Sequence, residues 1–272
     1  MMSGTATPPR VLASTTSHKR EPLMQTLEVF GRLDLGDIDL NLHHIIEEGV
    51  AVDAVKHAAA ANNLRIWIVS GGWCDFFHAQ PQADETDRSV ARQVEIAQQL
   101  GATQLRLFFG RLEYEDYTTV RLKPDTTSGP LKTICANLRR LSERHPDMLF
   151  NFENHDGASL HPEVCAEILE RVGRPNIRMN FDPINFERAG VSAGAALDKV
   201  RPFIGHVHLK GLERGEFCEF GAGDVDLLPL LQALDSYGYR GGFSVEYEGP
   251  YDGTVRLYQS VLRARSMVGA LL

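Results

Sequence analysis

Eight times along this chain an apolar run gives way to a stretch with helical periodicity, and that alternation is the strongest limit on its fold. The runs are RVLASTTS (10–17), DIDLNL (37–42), LRIWIVSG (64–71), TQLRLFFG (103–110), MLFNFE (148–153), IRMNFD (177–182), IGHVHLKG (204–211) and GGFSVEYE (241–248). Between them Val90, Val94 and Ala97 recur at i, i+4, i+7, and Leu131, Ile134, Cys135, Leu138 and Leu141 trace another helical stripe. Asp226 stands where it would cap a helix bearing Leu227, Leu230, Leu231 and Leu234, with Gly238 just past its end. Apolar strands each followed by a helix predict a parallel sheet, and eight such units predict a closed α/β barrel of the (β/α)8, or TIM, type. An open, doubly wound sheet is the rival reading. SGGW (70–73) is not the G-x-G-x-x-G turn that would favour it, and no Walker sequence occurs.

Length agrees with one barrel: 272 residues against roughly 250 for the type. The expected organisation is a disordered leader over 1–9 and a barrel over 10–272, with YEDYTTVRLKPDTTSGP (114–130) as one long βα loop. A net charge of −8 argues against nucleic acid or an anionic membrane as partner. No run approaches the ~18 apolar residues of a membrane span, and MMSGTATPPR lacks the apolar core of a secretory signal. Cys74, Cys135, Cys165 and Cys218 lie far apart with no CxxC pair, so neither a disulfide framework nor a zinc finger is expected. The expected setting is cytoplasmic and reducing.

The last four runs share one feature. Glu153, Asp182, His208 and Glu246 sit at their ends, spaced by 29, 26 and 38 residues (153 to 182, 182 to 208, 208 to 246), about one βα unit each time. In a barrel the C-terminal strand ends converge on one mouth, where active sites are built. Any one of these residues alone would read as a solvated carboxylate or a hydrogen-bonded structural histidine. Together they form a hard, mostly oxygen donor set with one imidazole, which suits Mn²⁺, Mg²⁺ or Co²⁺ and does not exclude Zn²⁺. Three carboxylates packed together repel one another, and a divalent cation removes that repulsion. In HVHLKG the side chains of His206, His208 and Lys210 alternate to one face. Lys210 either holds a substrate oxygen or neutralises the acidic mouth, and His206 packs one layer below. Asn185 shares a short turn with Asp182 in FDPIN.

NFENH, NFDPIN, GHVHLKG, FGAGDVDL and GYRGGFSVEYE resemble the xylose-isomerase-like TIM-barrel superfamily, and most of all its sugar-phosphate isomerase/epimerase branch of ketose 3-epimerases, hydroxypyruvate isomerases and inosose dehydratases. The resemblance is specific over about residues 148–248 and architectural before that. It implies that Glu153, Asp182, His208 and Glu246 bind one divalent metal, that Glu153 and Glu246 also form the acid/base pair, and that Asn185 faces the substrate. It also implies a homo-oligomer, dimer or tetramer. Three positions depart from the family pattern. Gly211 stands where Asp is frequent, Ala222 where Glu or Lys is frequent, and a common second-strand glutamate has only Asp39 or His44 to stand in for it.

The expected activity is a metal-dependent sugar or keto-polyol isomerase or epimerase. It would work through a metal-stabilised enediolate, with one glutamate removing a proton and the other returning it. Expulsion of a β-substituent from the same intermediate would instead make a lyase or dehydratase acting on a keto-sugar, keto-glycoside or inosose. His155 could bind a sugar hydroxyl or protonate a leaving group, which suits the lyase. Trp73, Phe76 and Phe77 either wall the pocket against a sugar ring or plug the barrel rim, and His44, Arg106, Arg111 and Arg214 are further candidates. No glycine-rich cradle supports a phosphorylated substrate. A non-catalytic sugar-binding barrel should have lost one of the paired glutamates, and an apurinic endonuclease needs more histidines and a DNA-binding surface.

Overall fold

The computed structural model describes residues 10–79, 81–113 and 129–271. The expected leader lies outside them, as does most of the expected loop at 114–130. Eight strands, β1 Arg10–Ser14, β2 Asp37–Asn41, β3 Arg65–Ser70, β4 Gln104–Phe108, β5 Leu149–Glu153, β6 Ile177–Phe181, β7 Ile204–Leu209 and β8 Gly242–Val245, form one closed, all-parallel barrel in which β1 pairs with both β2 and β8. The open-sheet rival is thereby excluded. Among the described residues ten helices follow in chain order: α1 Leu23–Arg32, α2 His43–Glu48, α3 Val52–Ala61, α4 Gln82–Leu100, α5 Pro130–Arg144, α6 Pro162–Val172, α7 Pro183–Arg188, α8 Ala193–Val200, α9 Leu228–Ser236 and α10 Gly253–Gly269. A small antiparallel hairpin, Gly211–Glu213 with Glu216–Cys218, stands over the barrel after β7.

The outward faces of the strands build the core. Leu105, Leu107, Phe150, Phe152, Met179, Val207, Phe243 and Val245 are buried, together with Val90, Val94 and Ala97 of α4 and Ile134 and Leu138 of α5. Gly238 takes φ +77° beyond α9, where a residue with a Cβ would be strained. The four cysteines are free thiols. Among the described residues no helix is long and apolar enough to cross a membrane.

The inward faces are unusual. Barrels of this type are commonly filled by Val, Ile and Leu. Here strand alternation turns Asp39, Asn151, Asn180, His206, His208 and Ser244 toward the axis, all fully buried. Such an interior is costly unless it holds ions or water. A register shift between β2 and β3 leaves Trp67 as the extra residue on β3, and its ring lies 6.0 Å from that of His206. A Cβ on Gly242 would run into that indole. Gly242→Ala is therefore expected to destabilise the barrel by about 1–3 kcal/mol, read from urea unfolding; an unchanged midpoint would show that Trp67 can move aside.

Several strands stop short of their apolar runs, β1 among them. β1 stops at Ser14, whose hydroxyl accepts the Thr16 N–H at 3.3 Å and starts a 3-10 turn over Thr15–His18. Short α2 and α7 were unreadable because six residues carry too little periodicity to register.

Candidate metal centre and active site

Glu153 is the last residue of β5, Asp182 follows β6, His208 is next to last in β7, and Glu246 follows β8. All four are buried. His208 is the hub: its Nδ1 lies 3.3 Å from Glu246 Oε2 and 3.6 Å from Glu153 Oε1. One potential ligand atom from each of Glu153, Asp182 and His208 falls within 4.8 Å of the others.

Each carboxylate is held from behind. Asn185 Nδ2 donates to Glu153 Oε1 at 3.1 Å, and Arg106 Nε lies 3.2 Å from Oε2. Ser14 Oγ donates to Glu246 Oε1 at 3.2 Å. Asp182 Oδ1 accepts the backbone N–H groups of Ile184 and Asn185, both at 2.9 Å, and so caps α7. Pro183 opens that helix where its missing N–H does no harm. The FDPIN string thus fixes a carboxylate and an amide on one rigid turn. Lys210 Nζ lies 2.9 Å from Asp182 Oδ2, 2.8 Å from Glu248 Oε2 and 3.5 Å from Glu246 Oε2. Of its two expected roles, the contacts favour charge neutralisation.

A divalent cation fits this donor set. Among the described residues Asp182 Oδ2 and both His208 nitrogens are buried without a well-aligned hydrogen bond, and three carboxylates with one imidazole match a hard divalent ion.

Electrostatics point the same way. Burial alone would push the Glu153 carboxyl up, but His208 and Arg106 outweigh it and hold it at about 2. Burial likewise raises Glu246, and His208 and Lys210 overcome it, so that its carboxyl stays well below the usual range. Asp182 is the exception: burial raises it, and Lys210 offsets only part of that. Burial disfavours the charged form of His208, but Glu246 and Glu153 hold it well above the ordinary imidazole value. In the metal-free protein His208 therefore carries a proton that a cation must displace. Affinity for Mn²⁺ is expected to rise as the pH rises from the ordinary imidazole range, with protons released on binding; titration calorimetry in buffers of different ionisation enthalpy reads both, and a flat profile would contradict the His208 assignment.

The other expected site residues divide. A cavity of about 400 Å³ beside the centre is lined by His155, Asp156, Asn185, Arg188, Phe217 and Glu248, among others. His155 packs on Phe108 with ring centroids 4.8 Å apart, and Trp73 packs on the same Phe108 at 5.4 Å. Trp73 is 47% exposed and stands under the Arg111 guanidinium. Phe76 and Phe77 are buried, as a plug requires. His44 lies apart from this group: fully buried in α2, it bonds Glu48 Oε1 through Nδ1 at 2.8 Å and faces the Thr15 carbonyl through Nε2. Sequence reasoning passed over Ser14, Glu248, Arg188 and Phe217. Glu248 was findable, since VEYE puts it on the same alternating face as Glu246. Phe217 arrives on the hairpin with no signal of its own. The glycine at 211 has a local cause as well, because a Cβ there would run into the Glu219 carbonyl across that hairpin.

A family model described as a xylose isomerase-like TIM barrel matches residues 26–265. The chain belongs to the xylose isomerase-like TIM barrel family. Among curated proteins, a provisionally named hydroxypyruvate isomerase of Mus musculus is 31% identical over 87 residues, which is 32% of this chain and 31% of that protein. Its Homo sapiens counterpart is 30% identical over 88 residues, again 32% of this chain and 31% of that protein. The match thus spans about a third of the length of these curated relatives. Among solved structures of similar fold, D-psicose 3-epimerase in the presence of D-fructose superposes with a TM-score of 0.75 at 14% identity, covering 96% of this chain and 99% of that one. The "probable 3-DHS dehydratase AsbF" of Bacillus anthracis gives 0.76 at 15%, covering 94% and 98%. A xylose isomerase domain protein from Planctomyces limnophilus gives 0.73 at 20%, covering 98% and 97%. At such identities these likenesses establish the fold.

Proposed function

We propose that this family member is a divalent-metal-dependent isomerase or epimerase of a small carbohydrate, a ketose or keto-polyol. The supporting observation is the pair of buried, ionised glutamates flanking His208, each braced by its own donors. Glu153, Asp182, His208 and Glu246 would hold the ion, as Mn²⁺, Mg²⁺ or Co²⁺. Bound there, it supplies Lewis acidity that weakens a C–H bond beside a substrate carbonyl. Glu153 Oε1 and Glu246 Oε2 approach His208 Nδ1 from different strands, β5 and the end of β8. One carboxylate takes the proton, and the other returns one to the opposite face for epimerisation or to the neighbouring carbon for isomerisation. Asn185 and Arg106 keep Glu153 aimed; Ser14 and Lys210 do the same for Glu246. Trp73 and Phe108 offer an apolar wall to a sugar ring, and the cavity beside Asn185 and His155 is of a size for a small sugar. The four free thiols suit a cytoplasmic setting.

A lyase or dehydratase is the second reading, and one observation favours it. His155 lines the cavity with its Nδ1 3.1 Å from Asp156 Oδ2, an arrangement that orients an imidazole to protonate a leaving group. Chelation is the test of the shared chemistry. Protein stripped with EDTA should lose turnover on any keto-sugar it converts and regain it with Mn²⁺. Sugar binding with no turnover in either state would point to a binding barrel.

A further inference from the structure

The metal reading leaves one buried charge unexplained. Asp39, in the middle of β2, is fully buried, and among the described residues neither of its oxygens has a hydrogen-bond partner. An isolated carboxylate in the heart of a barrel is strongly unfavourable. Among the described residues its one partner at ion-pair distance is His208, with Nε2 lying 3.5 Å from Asp39 Oδ2. The two strands are not neighbours, because β8 and β1 separate β7 from β2 around the barrel, so Asp39 reaches His208 across the interior.

The two ring nitrogens of His208 thus face different company. Nδ1 looks at Glu246 and Glu153, and Nε2 looks at Asp39 alone. In a neutral imidazole one nitrogen keeps its proton and the other offers a lone pair, and the partner of the first decides which is which. A carboxylate opposite Nε2 keeps the proton there and leaves Nδ1 free toward the cluster of Glu153, Asp182 and Glu246. From this geometry we infer that Asp39 is a positioning residue for the metal centre, accepting the Nε2–H of His208 so that Nδ1 serves as ligand. His206 does not compete for that role: its Nε2 pairs with Ser244 Oγ at 2.7 Å, and its ring stands edge-on to that of His208.

This assignment rests on the proposed metal function, and its test separates the two. Mn²⁺ affinity is measured by calorimetry for wild-type protein and for Asp39→Asn, an isosteric change, alongside urea unfolding of both proteins free of metal. The expected result is about 10–100-fold weaker binding in the variant, whatever the change in metal-free stability, because Asp39 also faces the protonated His208 of the metal-free protein. A merely structural Asp39 would leave affinity within threefold even where the urea midpoint falls, which overturns the assignment. Wild-type protein that takes up no Mn²⁺ overturns the metal reading and this assignment with it. Uptake of two ions by wild type and one by the variant would make Asp39 a ligand of a second ion, also overturning it, because Asp39, His206 and His208 are close enough for that. A long-range proton–nitrogen NMR spectrum of the Mg²⁺-loaded wild type gives an independent reading: the His208 proton belongs on Nε2, and finding it on Nδ1 refutes the proposal.

Discussion

Glutamine at position 246 is expected to lower turnover by about 10²–10⁴-fold, the range for loss of a positioned general acid or base. The change is nearly isosteric. The side-chain oxygen can still accept the Ser14 hydroxyl, so the backbone at the end of β8 has no reason to move. What disappears is the ability to take up or deliver a proton, together with one of the charges facing His208 Nδ1 and Lys210 Nζ. Steady-state kinetics on any converted sugar, with circular dichroism to verify folding, reads the effect. Mn²⁺ affinity should fall as well, which separates this residue from a bystander. A folded variant that keeps turnover within threefold would remove Glu246 from the proton-transfer pair.

Lys210→Met is expected to be the most destabilising single change at the site, by about 3–5 kcal/mol in the metal-free protein. Methionine fills much of the same volume but leaves Asp182 Oδ2 and Glu248 Oε2 without the ammonium that lies within 3 Å of each. Burial already raises the Asp182 carboxyl, and Lys210 is the strongest force opposing that rise. Without it Asp182 should titrate still higher in the folded state than in the unfolded chain. A carboxyl raised in this way destabilises above its unfolded value, where the charged form must be buried. The deficit should therefore shrink as the pH falls toward 4, where the group enters the core neutral. Mn²⁺ should restore part of the stability by supplying positive charge to the same oxygens. Urea unfolding at pH 7 and pH 4.5, with and without Mn²⁺, checks each point; a loss below about 1 kcal/mol at pH 7 would show that the carboxylates are not paired through Lys210.

How much of this was legible depends on where polarity stands out. In MLFNFE and IRMNFD a charged residue closes an apolar run, and that contrast exposes Glu153 and Asp182 as residues with work to do. DIDLNL carries its two aspartates in a clean alternation of polar and apolar residues, the pattern of a strand with one face in water. The polar face of β2 instead looks into the barrel, and nothing in a period of two distinguishes those cases, so Asp39 reads from sequence only as a stand-in for a family glutamate. His44 is a candidate from sequence because it follows the second apolar run. The six-residue helix α2, too short to show a period, turns it into a buried contact with Glu48 instead. Lys210 illustrates the reverse. Its face is readable from HVHLKG, but its partners come from beyond β6 and from beyond β8, and only the closed barrel brings them to one ammonium.

The central claim is that Glu153 and Glu246 move a proton on a carbon beside a substrate carbonyl. Proton NMR of the Mn²⁺-reconstituted protein's reaction products in D₂O, across a panel of ketoses, inososes and 3-keto-glycosides, tests it most directly. Deuterium should appear at the carbon adjacent to the carbonyl of at least one substrate, with exchange abolished in Glu246→Gln. Conversion of a panel sugar with no deuterium at that carbon would contradict the account, because the product would then have formed without solvent-exchangeable proton transfer there.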